Sequence, residues 1–158
     1  MIDATLKTVH VLSIMVWIGG MAFAHFFLRP AVAQLEAPVR LRLMHDVLGR
    51  FFQAVLVASL LTLASGVWML GRVAKQAVQS GGSFEMPLAW TVMAVLGVTM
   101  VAIFMHIRFA LYKKFGRAVA ASDWGAGGAA LAQIRIWVLI NLALGVLVLV
   151  VTLLRWST

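Results

Sequence analysis

Four stretches of the chain, at about residues 5–28, 51–71, 87–110 and 134–156, are almost uninterrupted apolar sequence. A helix needs roughly 20 apolar residues to cross about 30 Å of hydrocarbon, so a chain of 158 residues has room for four spans and little else. In lipid every backbone N–H and C=O must be paired within its own structure, which leaves helices as the folded form of such segments. The expected fold is therefore all-α: an integral membrane antiparallel four-helix bundle, with residues 1–158 forming a single transmembrane domain. Composition agrees, since 63% of residues are hydrophobic and 11% charged, with a mean hydropathy of +1.02 that soluble domains do not reach.

The punctuation between the runs is consistent with this. Arg29-Pro30 closes the first span, and Pro38 breaks the chain before an amphipathic run-up that begins near Leu41. Gln79-Ser80-Gly81-Gly82-Ser83 reads as a turn, Pro87 as a helix start, and Gly125-Ala126-Gly127-Gly128 as a small-residue loop. Residues 11–24 could pass for the core of a signal peptide, with Ala22 and Ala24 as a cleavage pattern, but Asp3 stands where a basic start belongs, so the segment is expected to be retained.

The formal charge of +8 sits in short connections between apolar runs and not on one soluble face, which points to lipid headgroups and away from nucleic acid. Arg29, Arg40, Arg42, Arg50, Arg108, Lys113, Lys114, Arg117 and Arg135 fall on one side, and Lys7, Arg72, Lys75 and Arg155 on the other. By the positive-inside rule the first group is cytoplasmic, so both termini are expected outside the cytoplasm. Trp68, Trp90, Trp137 and Trp156 lie near helix ends as an aromatic belt, whereas Trp17 lies near mid-membrane. With no cysteine in the chain, disulfides and thiolate metal sites are excluded, and any metal must be held by His, Met or oxygen.

Three histidines fall inside the apolar runs: His10 and His25 in the first and His106 in the third. An ionisable group in hydrocarbon is expensive and marks a functional site by default. Counting about 1.5 Å per residue from mid-span, His10 lies on the outer half while His25 and His106 share a depth on the cytoplasmic half. A lone intramembrane histidine is as often an interhelical hydrogen bond as a ligand. A depth-matched pair on two helices is the arrangement that clamps a haem between axial ligands, with Arg29 and Arg108 placed to pair with propionates. The expected cofactor is thus haem b on His25 and His106, with copper as the alternative.

His10 and Trp17 lie within about 20° on one helix face, and His25 about 60° away, so all three can turn inward. A second, outer site would need Met69, which ends a stripe of Ser59, Thr62, Gly66 and Met69. Asn141 heads a small and polar stripe on the fourth helix and is expected to pack closely or hydrogen-bond across helices beside the cofactor. His45, next to Asp46, reads as an interfacial, solvated histidine. Met93, Met100 and Met105 do not share a face with His106, so they form no methionine ladder for copper.

Leu6-Lys7-Thr8-Val9-His10 followed by Trp17-Ile18-Gly19-Gly20 resembles the opening of the CopD copper-resistance membrane family and of the related HemJ-type protoporphyrinogen oxidases. The resemblance continues through Phe23 to Pro30, Gly49-Arg50-Phe51-Phe52, Ile103-Phe104-Met105-His106, and Ile134-Arg135 to Gly145, most closely to short four-helix CopD-like proteins. It implies copper uptake on the CopD side and b-type haem held by a first-helix histidine, here His10, on the HemJ side. HemJ-type sequences carry a Lys early in helix three and a Glu after the helix-four Asn. Here those stretches read Ala89-Trp90-Thr91-Val92 and Asn141-Leu142, so porphyrinogen oxidation is not expected. The leading expectation is a b-type haem protein with a redox or electron-transfer role in a bacterial inner membrane, in the bilayer, with a redox partner of unspecified identity and room for a homodimer. The alternative is a copper-handling carrier or transporter, because thioether and imidazole donors suit copper.

Overall fold

The computed structural model describes residues 2–83 and 85–154. The first helix, α1, runs over Ile2–Phe23, widens into a turn of π type at Ala24–Leu28, and ends with Arg29–Ala31. α2 is one helix over Ala37–Gln79. α3 covers Leu88–His106, passes through a second wide turn at Ile107–Leu111, and continues over Tyr112–Ala120. α4 covers Trp124–Leu154, so Arg155 and Trp156, expected at its end, lie outside the described residues. All four helices are long and apolar enough to cross a membrane, and no strand occurs among the described residues.

The helices are longer than hydropathy alone predicts. With 43 residues, α2 reaches about 64 Å, twice the hydrocarbon thickness. Its early part is amphipathic, not apolar, and is helical because Leu41, Met44 and Leu48 are buried at i, i+3 and i+7 on one face. Pro38 does not break this helix; it occupies the first turn, where its missing N–H costs nothing. Arg40 ties the preceding turn to α2 by donating from one guanidinium nitrogen to the carbonyls of Ala33 (3.2 Å) and Leu35 (3.3 Å).

The expected loop at Gly125–Gly128 is instead the first turn of α4. Asp123 stands just before the helix and its carboxylate accepts the Ala126 N–H (2.9 Å), an N-cap, while Ser122 turns the chain with φ of 55°. Gly127 is buried against Leu41, Ala118 and Phe115, so the small residues serve close approach of helices, not a flexible connection. At the other end α2 closes with Gly81 at φ of 79° and Gly82 N–H donating to the Ala77 carbonyl (3.1 Å), the αL cap that glycine favours.

α1 packs along α2, and α3 along α4; the two hairpins then meet through α4 and through the last turns of α3 against α2. Trp17, Phe52, Val55, Phe104, Ile107, Phe115 and Ile134 form the shared core. Phe104 sits at its centre, edge-on to Trp17 of α1 (6.0 Å between ring centres) and to Phe52 of α2 (6.1 Å). At the end where α1 and α3 finish, the His45 ring stacks on Tyr112 at 4.9 Å and 7°, and the Tyr112 hydroxyl donates to the His45 carbonyl (3.0 Å). His45 is therefore a packed interhelical contact with 32% of its side chain still exposed.

Adjacent glycines on α1 give a direct check of this packing. A methyl group on Gly20 would overlap the Phe51 ring, whereas one on Gly19 would meet nothing within 4 Å. Thermal unfolding in detergent should therefore show Gly20→Ala destabilised by about 1–3 kcal/mol and Gly19→Ala unchanged or stabilised by roughly 0.5–1 kcal/mol.

Candidate functional site

His10 is the intramembrane histidine that the fold builds into a contact between helices. It lies half-buried on the face of α1 that meets α2, and its ring fits over Gly66, where an added Cβ would come within 3.3 Å of the ring carbon Cε1. Ser65, 4% exposed, gives its hydroxyl hydrogen to the Leu61 carbonyl (2.5 Å), with the Thr62 carbonyl farther off at 3.2 Å. The Ser65 oxygen also lies in hydrogen-bond contact with His10 Nδ1, at 2.9 Å. The Thr62 backbone is a second hydrogen-bond partner of the ring. A neutral imidazole with one ring nitrogen held by a neighbour is the state in which histidine ligates metals.

Sequence periodicity pairs His10 with Met69; the hydrogen-bonding side chain beside the ring is Ser65. Met69 is half-buried one helical turn beyond Ser65 on the same side of α2. Ser65 was legible only as a serine beside Gly66 on the flank of the Ser59, Thr62, Gly66 and Met69 stripe. Ser59 itself is fully buried and bonds back to the Leu56 carbonyl (2.9 Å), while the Thr62 hydroxyl is buried without a partner among the described residues.

No described contact joins His25 to His106. The depth argument for that pair neglected rotation about α3, whose residues are apolar all round and so do not reveal which side faces inward. Phe104 and Ile107 take the inner face; His106, between them in sequence, projects outward with its ring edge on Trp137 at 5.4 Å. His25 lies within the wide turn of α1, half-buried, against Phe26 at 4.9 Å. Arg29 is exposed, and Arg108 lies over Tyr112 (5.3 Å) and Phe109 (5.7 Å). Among the described residues no three His, Asp or Glu side chains come together in a metal-binding group.

Trp17 and Asn141 share the bundle centre. Trp17 is 4% exposed and Asn141 fully buried, and both line a void of about 10 Å³ with Met21, Phe52 and Phe104. A drug- or cofactor-sized ligand takes roughly 300 Å³ or more, so these packed aromatic residues do not fit a haem. Neither the carboxamide oxygen nor the nitrogen of Asn141 has a partner among the described residues.

An integral membrane four-helix bundle with a hydrogen-bonded imidazole between its first two helices is the class this geometry defines. The model of the family described as copper resistance protein D matches residues 45–155, most of the chain, and the protein belongs to that family. The match begins at His45, so α1 with His10 and His25 lies outside it. No curated protein and no solved structure matches the chain.

Asn141 yields a stability test. A buried amide with both atoms unpaired carries a desolvation penalty of about 1–3 kcal/mol, so the near-isosteric Asn141→Leu should raise the unfolding temperature of the purified protein. A lowered temperature would show that the amide has a partner which the packing conceals.

Proposed function

We propose that the protein handles copper, as Cu(I), in a bacterial inner membrane, with His10 as the imidazole donor. The observation that carries the reading is the His10 imidazole held at the α1–α2 seam by its 2.9 Å hydrogen bond to Ser65. Family membership supplies the metal: the matching family is one of copper resistance. The donor chemistry is compatible, because a chain without cysteine offers imidazole and thioether groups, and these soft donors suit Cu(I). A monovalent ion is also the less costly one to bring into a region of low dielectric.

Met69, on the same side of α2 as Ser65 and one turn outward, is the thioether in line to share the ion with His10. The distribution of basic residues assigns this end of the bundle to the outer side of the membrane. In this reading the ion enters from that side, and the orientation of both termini outside the cytoplasm follows from the same rule.

Competition between the purified protein and a chromophoric Cu(I) chelator tests the assignment. His10→Ala should abolish the high-affinity site. Loss of the orienting hydrogen bond in Ser65→Ala should weaken it by about 10–100-fold, and Met69→Leu should weaken it as well. His45→Gln, remote from the site, should bind as the native chain does. A His10→Ala protein that holds Cu(I) as tightly as the native one would overturn the reading.

A further inference from the structure

Beyond the wide turn of α3 the helix is strongly amphipathic. Phe115 is fully buried, while Lys113, Lys114 and Arg117 face out within one turn and a half. Between this segment and α4 lies an open groove of about 790 Å³, lined by Phe109, Ala110, Lys113, Lys114, Arg117 and, from α4, Gln133. None of the three cations belongs to an ion pair among the described residues. The described pair is His45 with Asp46, and the carboxylate of Asp123, the next acid along the chain, accepts the Ala126 N–H.

The groove changes character along its length in a fixed order. From Leu88 to Phe109 the helix rises about 32 Å, which exhausts the hydrocarbon thickness. Phe109 and Ala110 therefore lie at the edge of the hydrocarbon, and the cations lie roughly 6–12 Å further out, at headgroup level. An apolar stretch on the membrane side followed by a cationic one on the water side matches an amphiphile standing upright beside the protein. A soluble anion would need only the second part.

We propose that this groove binds an anionic glycerophospholipid, with its phosphate among Lys113, Lys114 and Arg117, a glycerol or ester oxygen within reach of the Gln133 amide, and an acyl chain along Phe109 and Ala110. Basic pockets between transmembrane helices recognise anionic headgroups in this way, and the unbalanced charge of the three side chains supplies the attraction.

Thermal unfolding of the full-length, delipidated protein in a zwitterionic detergent tests the site. Added phosphatidylglycerol should raise the unfolding temperature by about 5 °C relative to phosphatidylcholine of the same chains. The rise should vanish in the Lys113→Gln, Lys114→Gln, Arg117→Gln triple variant and persist in Lys75→Gln. If the triple variant does not fold, the single variants Lys114→Gln and Arg117→Gln should each remove part of the rise. Equal stabilisation by phosphatidylcholine, an undiminished response in the variants, or the same rise with inorganic phosphate alone would overturn the proposal.

Discussion

Phe104 holds the two helical hairpins of this protein in one arrangement. Its ring meets Trp17 edge-on from α1 and Phe52 edge-on from α2, and Phe52 in turn meets Tyr112 at 5.4 Å near the end of α3. In a bilayer the hydrophobic effect does not drive helices together, because lipid tails are as apolar as the side chains they would replace. Association has to come from close packing and from the few polar contacts available. Interlocked aromatic rings supply the first, and small residues such as Gly20, Gly127 and Gly145 let backbones come near enough for the rings to engage.

The polar contacts are sparse and unequal. His10 and Ser65 are hydrogen-bonded to each other across the α1–α2 seam, and the serine also bonds the Leu61 carbonyl within α2. Asn141, at the centre, is the opposite case, with a buried amide and no described partner. One arrangement stabilises the α1–α2 hairpin; the other costs stability at the point where all four helices converge. Both fall on the inner faces, and the membrane-facing surface between helix ends is apolar apart from outward-facing residues such as His106.

Much of the architecture was legible in the sequence because hydrocarbon imposes a strict length on apolar segments. The four spans and their antiparallel order follow from that constraint, and the family resemblance followed from motifs spread across all four helices. The helix ends were not legible. Outside the hydrocarbon, the amphipathic segment before Phe51 and the glycine-rich start of α4 are stabilised by tertiary contacts with Phe115 and Leu41 that no local pattern reveals. The site was read in part. His10 was singled out by depth and face, but Ser65 was not, since a serine in an apolar helix is usually bonded to its own backbone. The outward direction of His106 was not legible, because a helix that is apolar all round gives no signal of rotation.

The wide turns in α1 and α3 bear on how such a chain can change. In each, one backbone N–H reaches back five residues, from Arg29 to Ala24 and from Tyr112 to Ile107, so the helix accommodates one residue more than a regular turn would hold. Deleting a single residue there would restore the ordinary repeat with little change of facing, whereas winding the same residues as regular α-helix would swing everything beyond them through roughly a quarter of a circle. For α3 that rotation would carry Phe115 out toward lipid and bring lysines into the core. The wide turn therefore keeps the buried half of the helix and its charged extension in phase despite the extra residue, so the turn and that residue belong together.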